Sequence, residues 1–291
     1  MREFEVYLIE EKKMAENTIE AYKRDVKHFA QFVAERGVDR PEDATNAEVV
    51  AYLMRLKQEG KAKATVNRKL ASIRTWFQYL MGEGVIDRNP ATDIKSPKIE
   101  RKEITYLSVE EIDRLMAAPD GSPKGIRDRA MLELMYATGI RASELISLEI
   151  DDVNVRMCFV TCNGENMKAR IIPIGRIGRK AMEEYLYGMR TEILERHPEE
   201  RTLFVNYIGH PITRQGLWKI LKGYGEKAEL SQSLTPQVLR NSFAVHMLQN
   251  GADLKSLQEL LGHEDITATQ IYLSVTKNRI KDVYDKTHPR A

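Results

Sequence analysis

With 291 residues the chain is longer than one average domain and suits two, because single hydrophobic cores stop growing near about 250 residues. Hydrophobic residues at 42%, charged residues at 30% and only two cysteines, Cys158 and Cys162, exclude a disordered chain and a disulfide scaffold and point to a reducing compartment. Lys plus Arg (45) barely exceed Asp plus Glu (43), so the net charge of +2 by itself favours nucleic acid no more than any other partner.

The N-terminal MREFEVYLIEEKK carries acidic residues inside its apolar run, and no stretch approaches the roughly 18 apolar residues of a membrane span. Neither a signal peptide nor a membrane partner is expected, and the location expected is cytoplasmic. After a short N-terminal helical segment, Asn17 and Glu20 read as a capping box for a helix whose Ile19, Tyr22, Val26, Phe29 and Val33 recur at three- and four-residue steps until Gly37. A second helix is expected over Asn46–Gly60, with Val49, Val50, Leu53 and Leu56 on one face. A third runs from about Ala64 to Leu80 with Val66, Leu70, Ile73, Phe77 and Leu80. Residues 1–95 thus read as a helical domain, 96–104 as a linker rich in charge and proline, and 105–291 as a second domain.

That second domain opens with a Ser108/Glu111 capping box and a helix from about Gly125 to Thr138 that Gly139 ends. Strand-like alternation in MCFVTC and ARIIPI flanks Asn163-Gly164, a hairpin signal, and puts Cys158 and Cys162 on one strand facing the core. Helices return over Ala181–Glu195 and from Pro236 onward. The fold class expected is mainly α with a small antiparallel sheet.

Local charge departs from the total. Between Met54 and Tyr79 stand Arg55, Lys57, Lys61, Lys63, Arg68, Lys69 and Arg74 against Glu59 alone, with Thr65, Asn67, Thr75 and Trp76 among them. A solvated helix face is the plain reading. Cations interleaved with hydroxyl and amide donors at helix spacing also suit a phosphate backbone, and Lys61, Lys63, Arg68, Lys69 and Arg74 are the candidate DNA contacts.

In TGIRASELISL, Arg141 follows the helix that Gly139 ends and opens the next, where free N–H groups beside a guanidinium suit an oxyanion. Taken alone, an Arg141–Glu144 pair explains it as well. Farther on, LTPQVLRNSFAVHMLQNGADLKSLQELLGHEDITATQIY sets Arg240 on a helix begun by Thr235-Pro236 and leaves His263 on a turn after Gly262. Tyr272 follows nine residues later on a new helix. With the helical first domain, the Arg141 motif and LGH followed by TxxY, nearly the whole chain resembles the tyrosine recombinases, the lambda-integrase-like family, and in particular their Xer branch.

The resemblance implies a helical core-binding domain plus an α+β catalytic domain of the DNA breaking-rejoining type, gripping opposite faces of a duplex. It implies that Tyr272 attacks the scissile phosphate to give a 3′-phosphotyrosyl bond, so that rejoining needs no ATP. It also implies that Arg141 and Arg240 clamp the non-bridging oxygens in place of a metal, and that His263 hydrogen-bonds the same phosphate. Four protomers on two DNA sites are implied, as a homo-tetramer or a paired hetero-tetramer. The tail from about Thr276, with Ile280, Val283 and Tyr284, would dock on a neighbour.

Two positions depart from the family pattern. Gln237 stands where His-x-x-Arg is usual, and glutamine donates a hydrogen bond but takes no proton. Glu165 falls at the hairpin lysine that in the family protonates the leaving 5′-oxygen, leaving Lys168, the hairpin's one lysine, as the candidate for that catalytic part. The six histidines and two cysteines have no zinc spacing, there is no Gly-rich phosphate loop, and no cofactor is expected. His246 reads as a packing or hydrogen-bonding residue. Two other readings stay open: a DNA-binding relative whose Gln237 and Glu165 have cost it catalysis, and a type IB topoisomerase-like activity using the same nucleophile.

Overall fold

The computed structural model describes residues 1–98, 103–164 and 167–273, with only the backbone of 164, 167, 168 and 196. It divides into two compact units, Met1–Lys102 and Glu103–Ala291. No helix among the described residues is long and apolar enough to cross a membrane. The expected docking tail from Thr276 onward lies outside the described residues.

The first unit holds helices α1 (Arg2–Glu10), α2 (Glu16–Ala34), α3 (Asn46–Gln58) and α4 (Lys63–Gly82). Their apolar spacing closes one core: Ile19, Val26, Phe29 and Val33 of α2 meet Val66, Leu70, Ile73 and Phe77 of α4. Phe29 packs edge-on against Tyr52, Trp76 and Phe77. The capping box expected at Asn17 and Glu20 is absent, because α2 begins two residues earlier, with Ala15 at its cap, and Glu20 pairs with Lys23 instead. Thr45 and Glu48 form such a box on α3.

The basic row on α4 is not a continuous phosphate-facing surface. Asp25, a buried carboxylate on α2, pairs with Arg68 and lies 3.2 Å from the Lys69 ammonium. Lys69 is only 7% exposed and also meets the Tyr52 hydroxyl and His28 Nδ1, each at 3.2 Å. Arg74 donates to the carbonyls of Ala91 (3.0 Å) and Ile94. Burying a carboxylate at the α2–α4 contact demands counter-charge, which Lys69 and Arg68 supply, while Arg74 is occupied by the carbonyls that follow α4. Lys61 and Lys63 remain exposed around the start of α4, and Arg68 is half-buried.

The second unit contains α5 (Val109–Ala117), α6 (Pro123–Thr138), α7 (Ala142–Ser147), β1 (Val153–Asn154), β2 (Phe159–Gly164), β3 (Met167–Pro173), α8 (Arg176–Glu184), α9 (Arg190–Ile193), α10 (Arg214–Lys227), α11 (Pro236–Gln249), α12 (Leu254–Leu261) and α13 (Thr267–Gln270). The Ser108/Glu111 capping box starts α5 as expected. α6 runs through the centre, with Ala130 to Met135 all buried, and packs on α8 and α11. A π-helical turn, Tyr185–Met189, joins α8 to α9, so this helix begins at Arg176 rather than Ala181. α10 was not among the expected elements: its three glycines, Gly216, Gly223 and Gly225, mask the spacing of its buried Leu217 and Leu221.

The sheet is antiparallel in the order β1–β2–β3, with Val160 opposite Ile172 and Cys162 opposite Arg170. Gly164 pairs with Met167, which puts Asn163-Gly164 in the strand instead of the turn. Only Cys162 faces the core. Cys158 precedes β2 with φ +58° and is half-buried.

Removing the Asp25 carboxylate leaves Lys69 as a buried charge that has lost its counter-ion, at a cost of about 3–5 kcal/mol. In a Trp218→Phe background Trp76 is the sole tryptophan, so urea unfolding followed by its fluorescence reports this unit. Asp25→Ala is expected to lower its stability by that amount, and a change under 1 kcal/mol contradicts the account.

Candidate active site

α11 carries the residue around which the site is built. The helix starts at Pro236, behind Thr235, whose hydroxyl accepts from the Val238 N–H at 3.2 Å. Arg240, one turn in, is 4% exposed. Its guanidinium donates to the Gly139 carbonyl, to the Leu261 carbonyl at 2.6 Å and to His263 Nε2 at 3.0 Å. Gly139 and Gly262, which end α6 and α12, make this approach possible. Both have left-handed φ, and a Cβ on Gly139 would lie 2.4 Å from the Phe243 ring. Burial, and then the charge of Arg141, lower the Arg240 pKa to about 10, which leaves it protonated at neutral pH.

Arg141 caps α7. Its N–H donates to Glu144 Oε2 at 2.8 Å, and its guanidinium reaches Glu144 Oε1 at 3.2 Å and the Gly262 carbonyl at 2.9 Å. The Arg141–Glu144 pair weighed in the sequence is therefore present. Glu144 nevertheless serves Arg170 of β3 more closely, accepting from it at 2.7 and 2.9 Å. Burial would raise the Glu144 pKa, but the hydrogen bonds from Arg170 and Arg141 outweigh it and keep the carboxyl below its ordinary range. Arg141 retains 33% side-chain exposure against 10% for Arg170, which makes Arg141 the guanidinium open to a ligand. The Arg141 N–H is taken by Glu144, so what Arg141 presents to an anion is its guanidinium.

Arg141, Arg240 and Gln237 share an open cleft of about 410 Å³ with Ser143, Arg214 and Trp218. The last two come from α10 and were not among the expected site residues. The arginines Arg141, Arg170 and Arg240 face one carboxylate, Glu144, so the site keeps an excess of positive charge. At about 4 Å near a protein surface, each unit charge attracts an anion with on the order of 4 kcal/mol. Among the described residues no group of three or more His, Cys, Asp or Glu side chains is placed to hold a metal ion.

His263 occupies the turn after Gly262. Its Nδ1 lies 2.7 Å from the hydroxyl of Thr269, a fully buried residue. Desolvation and the charges of Arg240, Arg141 and Arg170 lower its pKa to about 4. Tyr272 lies just beyond α13, its N–H donating to the Thr269 carbonyl at 3.1 Å. The side chain is 1% exposed, set among Phe243, Ala244, Val245, Leu257 and Leu261. Its hydroxyl donates to Asn241 Oδ1 at 3.1 Å. Burial raises the Tyr272 pKa, while Arg240 and Arg141 pull against it.

Gln237 donates to the same Asn241 oxygen at 2.8 Å, and Asn241 Nδ2 donates to the Thr105 carbonyl at 2.9 Å. That last bond fixes which end of the amide faces Gln237 and Tyr272. Asn241 was missed in the sequence, although its place directly after Arg240 puts it one turn beyond Gln237. Lys168 lies on β3, but its side chain and the whole of Glu165 fall outside the described residues. His246 bonds the Tyr136 hydroxyl at 2.9 Å, the structural part expected of it.

The sequence matches the phage integrase family over residues 105–279 and the N-terminal SAM-like domain of phage integrases over residues 1–84. The tyrosine recombinase XerD of Listeria monocytogenes serotype 4b (strain F2365) is 42% identical over 295 residues, spanning 100% of this chain and 99% of the relative. The tyrosine recombinase XerC of Herpetosiphon aurantiacus is 41% identical over 281 residues, spanning 96% and 91%. Among solved structures, a lambda integrase (75-356) dimer bound to a COC' core site matches with TM-score 0.71 at 21% identity, over 93% of both chains. XerA recombinase matches with TM-score 0.57 at 24% identity, over 99% of this chain and 98% of that one. Both likenesses concern the fold.

His263 has an ordinary pKa of 6.5 and a folded value of about 4. Between those values the unfolded chain binds the additional proton, so stability is full above pH 6.5 and is lost as pH falls toward 4. His263→Gln is expected to remove that part of the acid sensitivity, while His28 and His246, also lowered by burial, keep theirs. Urea unfolding across pH 4–7 checks this, and an unchanged pH slope in the variant contradicts it.

Proposed function

The chain belongs to the phage integrase family of tyrosine recombinases, and from that premise we propose that it cuts and rejoins duplex DNA at specific sites through Tyr272. The observation that carries this reading is the convergence of Arg141 and Arg240 on one open cleft, with His263 bonded to Arg240 and Tyr272 close enough for both guanidinium charges to act on its phenol. In the reaction the Tyr272 oxygen loses its proton and forms a bond to phosphorus, the bond to the 5′-oxygen breaks and that oxygen takes up a proton, leaving a 3′-phosphotyrosyl linkage and a free 5′-hydroxyl. Attack by a 5′-hydroxyl of another strand reverses these bonds, so no nucleotide is consumed. Arg141 and Arg240 neutralise the charge that builds on the non-bridging oxygens, and fixed guanidinium charge there needs no metal.

Tyr272 is not positioned to attack while its hydroxyl is held by Asn241, so DNA binding must release it. Gln237 contributes a hydrogen bond but no base. The exposed Lys61 and Lys63 of the first unit, and Arg214 beside the cleft, provide contacts to the phosphate backbone, and both units take part in holding a duplex. Strand exchange between two sites brings four protomers together, as one tetramer or two pairs. The reaction takes place in the cytoplasm.

The test uses a duplex selected by the protein itself from a random-sequence pool, prepared with a nick near each site so that cleavage traps the covalent adduct on a denaturing gel. Tyr272→Phe is expected to abolish the adduct without weakening binding, and Arg141→Ala to slow it by about 10³-fold. Tight, salt-sensitive binding without any adduct would instead identify a DNA-binding relative that has lost catalysis. Gln237→His is expected to accelerate adduct formation at least about tenfold, by restoring a proton acceptor. An unchanged rate would show that another group already takes the proton.

A further inference from the structure

The hydrogen bonds around His263 fix where its proton lies. An arginine only donates, so His263 Nε2, 3.0 Å from Arg240 Nη2, presents a lone pair. A neutral imidazole carries one N–H, which must then be on Nδ1, and the atom facing Nδ1 is the Thr269 hydroxyl oxygen at 2.7 Å. Were the proton on Nε2, two donors would face each other and Arg240 would be pushed from its place. Thr269 is fully buried, so no solvent competes for this bond. The depressed pKa of His263 is consistent with the neutral form.

We infer that Thr269 is a positioning residue for strand cleavage: by accepting the Nδ1 proton of His263 it sets the imidazole as an acceptor toward Arg240, and so holds that guanidinium in the orientation in which it meets the scissile phosphate. Its backbone carbonyl also receives the Tyr272 N–H at 3.1 Å, so one residue joins the phosphate clamp to the segment carrying the nucleophile. Thr269 is the threonine of the TxxY pattern, and no role in the chemistry otherwise attaches to it. The inference rests on the recombinase reading for its consequence, but not for the hydrogen-bond chain itself.

Two measurements on the full-length protein test it. In protein labelled with ¹⁵N-histidine, with the His263 signals assigned by their loss in His263→Gln, NMR reports which ring nitrogen is protonated. The wild type and Thr269→Ser are expected to show the Nδ1–H form, and Thr269→Val a shift of population to Nε2–H. On the selected nicked duplex, Thr269→Val is expected to slow adduct formation at saturating protein by about tenfold to a hundredfold, the usual cost of losing a partner that orients an imidazole. Duplex affinity should stay within twofold, and Thr269→Ser should restore the rate.

An unchanged tautomer in Thr269→Val overturns the inference, as does a shifted tautomer with an unchanged rate. A slow Thr269→Ser variant with the wild-type tautomer also overturns it, because packing of the methyl group would then be responsible. If the wild type forms no adduct at all, the recombinase reading fails, and the NMR arm still decides whether Thr269 holds His263.

Discussion

The guanidinium of Arg240 is buried and charged, and the surrounding chain is arranged to satisfy its N–H groups. A charge taken out of water at 4% exposure is costly unless each donor finds an acceptor. Here the acceptors are two backbone carbonyls and one imidazole nitrogen, contributed by Gly139, Leu261 and His263. The carbonyls of Gly139 and Leu261 lie at the ends of α6 and α12, where carbonyls have no helical partner. Three helices are thereby locked in register by one side chain. None of its acceptors is a carboxylate, so its positive charge is left unneutralised at close range. Glu144 is used for Arg170 and Arg141 instead. A fixed cation beside an open cleft, held before any ligand arrives, is the electrostatic preorganisation that phosphoryl transfer requires.

The tyrosine proposed as the nucleophile is held with equal care, but in an unreactive place. Tyr272 is covered on all sides, and its hydroxyl donates to Asn241, whose amide is fixed by the Thr105 carbonyl. Gln237, the residue that departs from the family's usual histidine, is tied to the same oxygen. The departure is thus a linked pair, in which the glutamine donates to the oxygen of the asparagine one turn on, the same acceptor that restrains the phenol. A ligand in the cleft that draws the Gln237 amide toward its own oxygens would alter what Asn241 offers Tyr272. Ground-state restraint of this kind uses the neutral phenol, consistent with burial raising the Tyr272 pKa.

Much of this was legible in the sequence because the signals were local. Apolar periodicity located α2, α3 and α4, the Ser108/Glu111 box located α5, and Gly139 and Gly262 marked chain reversals. The LGH and TxxY spacing put His263 and Tyr272 in one neighbourhood. What escaped was set by partners distant in sequence. Lys69 looks like a surface cation until Asp25, on another helix, claims it. Arg74 looks the same until the carbonyls after α4 fold back onto it. α10 was hidden by its glycines, and with it Arg214 and Trp218 at the cleft. Asn241 and Thr269 were visible as residues, but their hydrogen-bond roles exist only once α11, α13 and the turn after α12 are packed together.

If an arginine-centred cleft directs one tyrosine to phosphorus, mass spectrometry of the trapped, nuclease-trimmed and protease-digested complex will find a nucleotide phosphate attached to the peptide containing Tyr272 and to no other peptide. A phosphate found on any other side chain, or a trapped complex in which Tyr272 is unmodified, would contradict it.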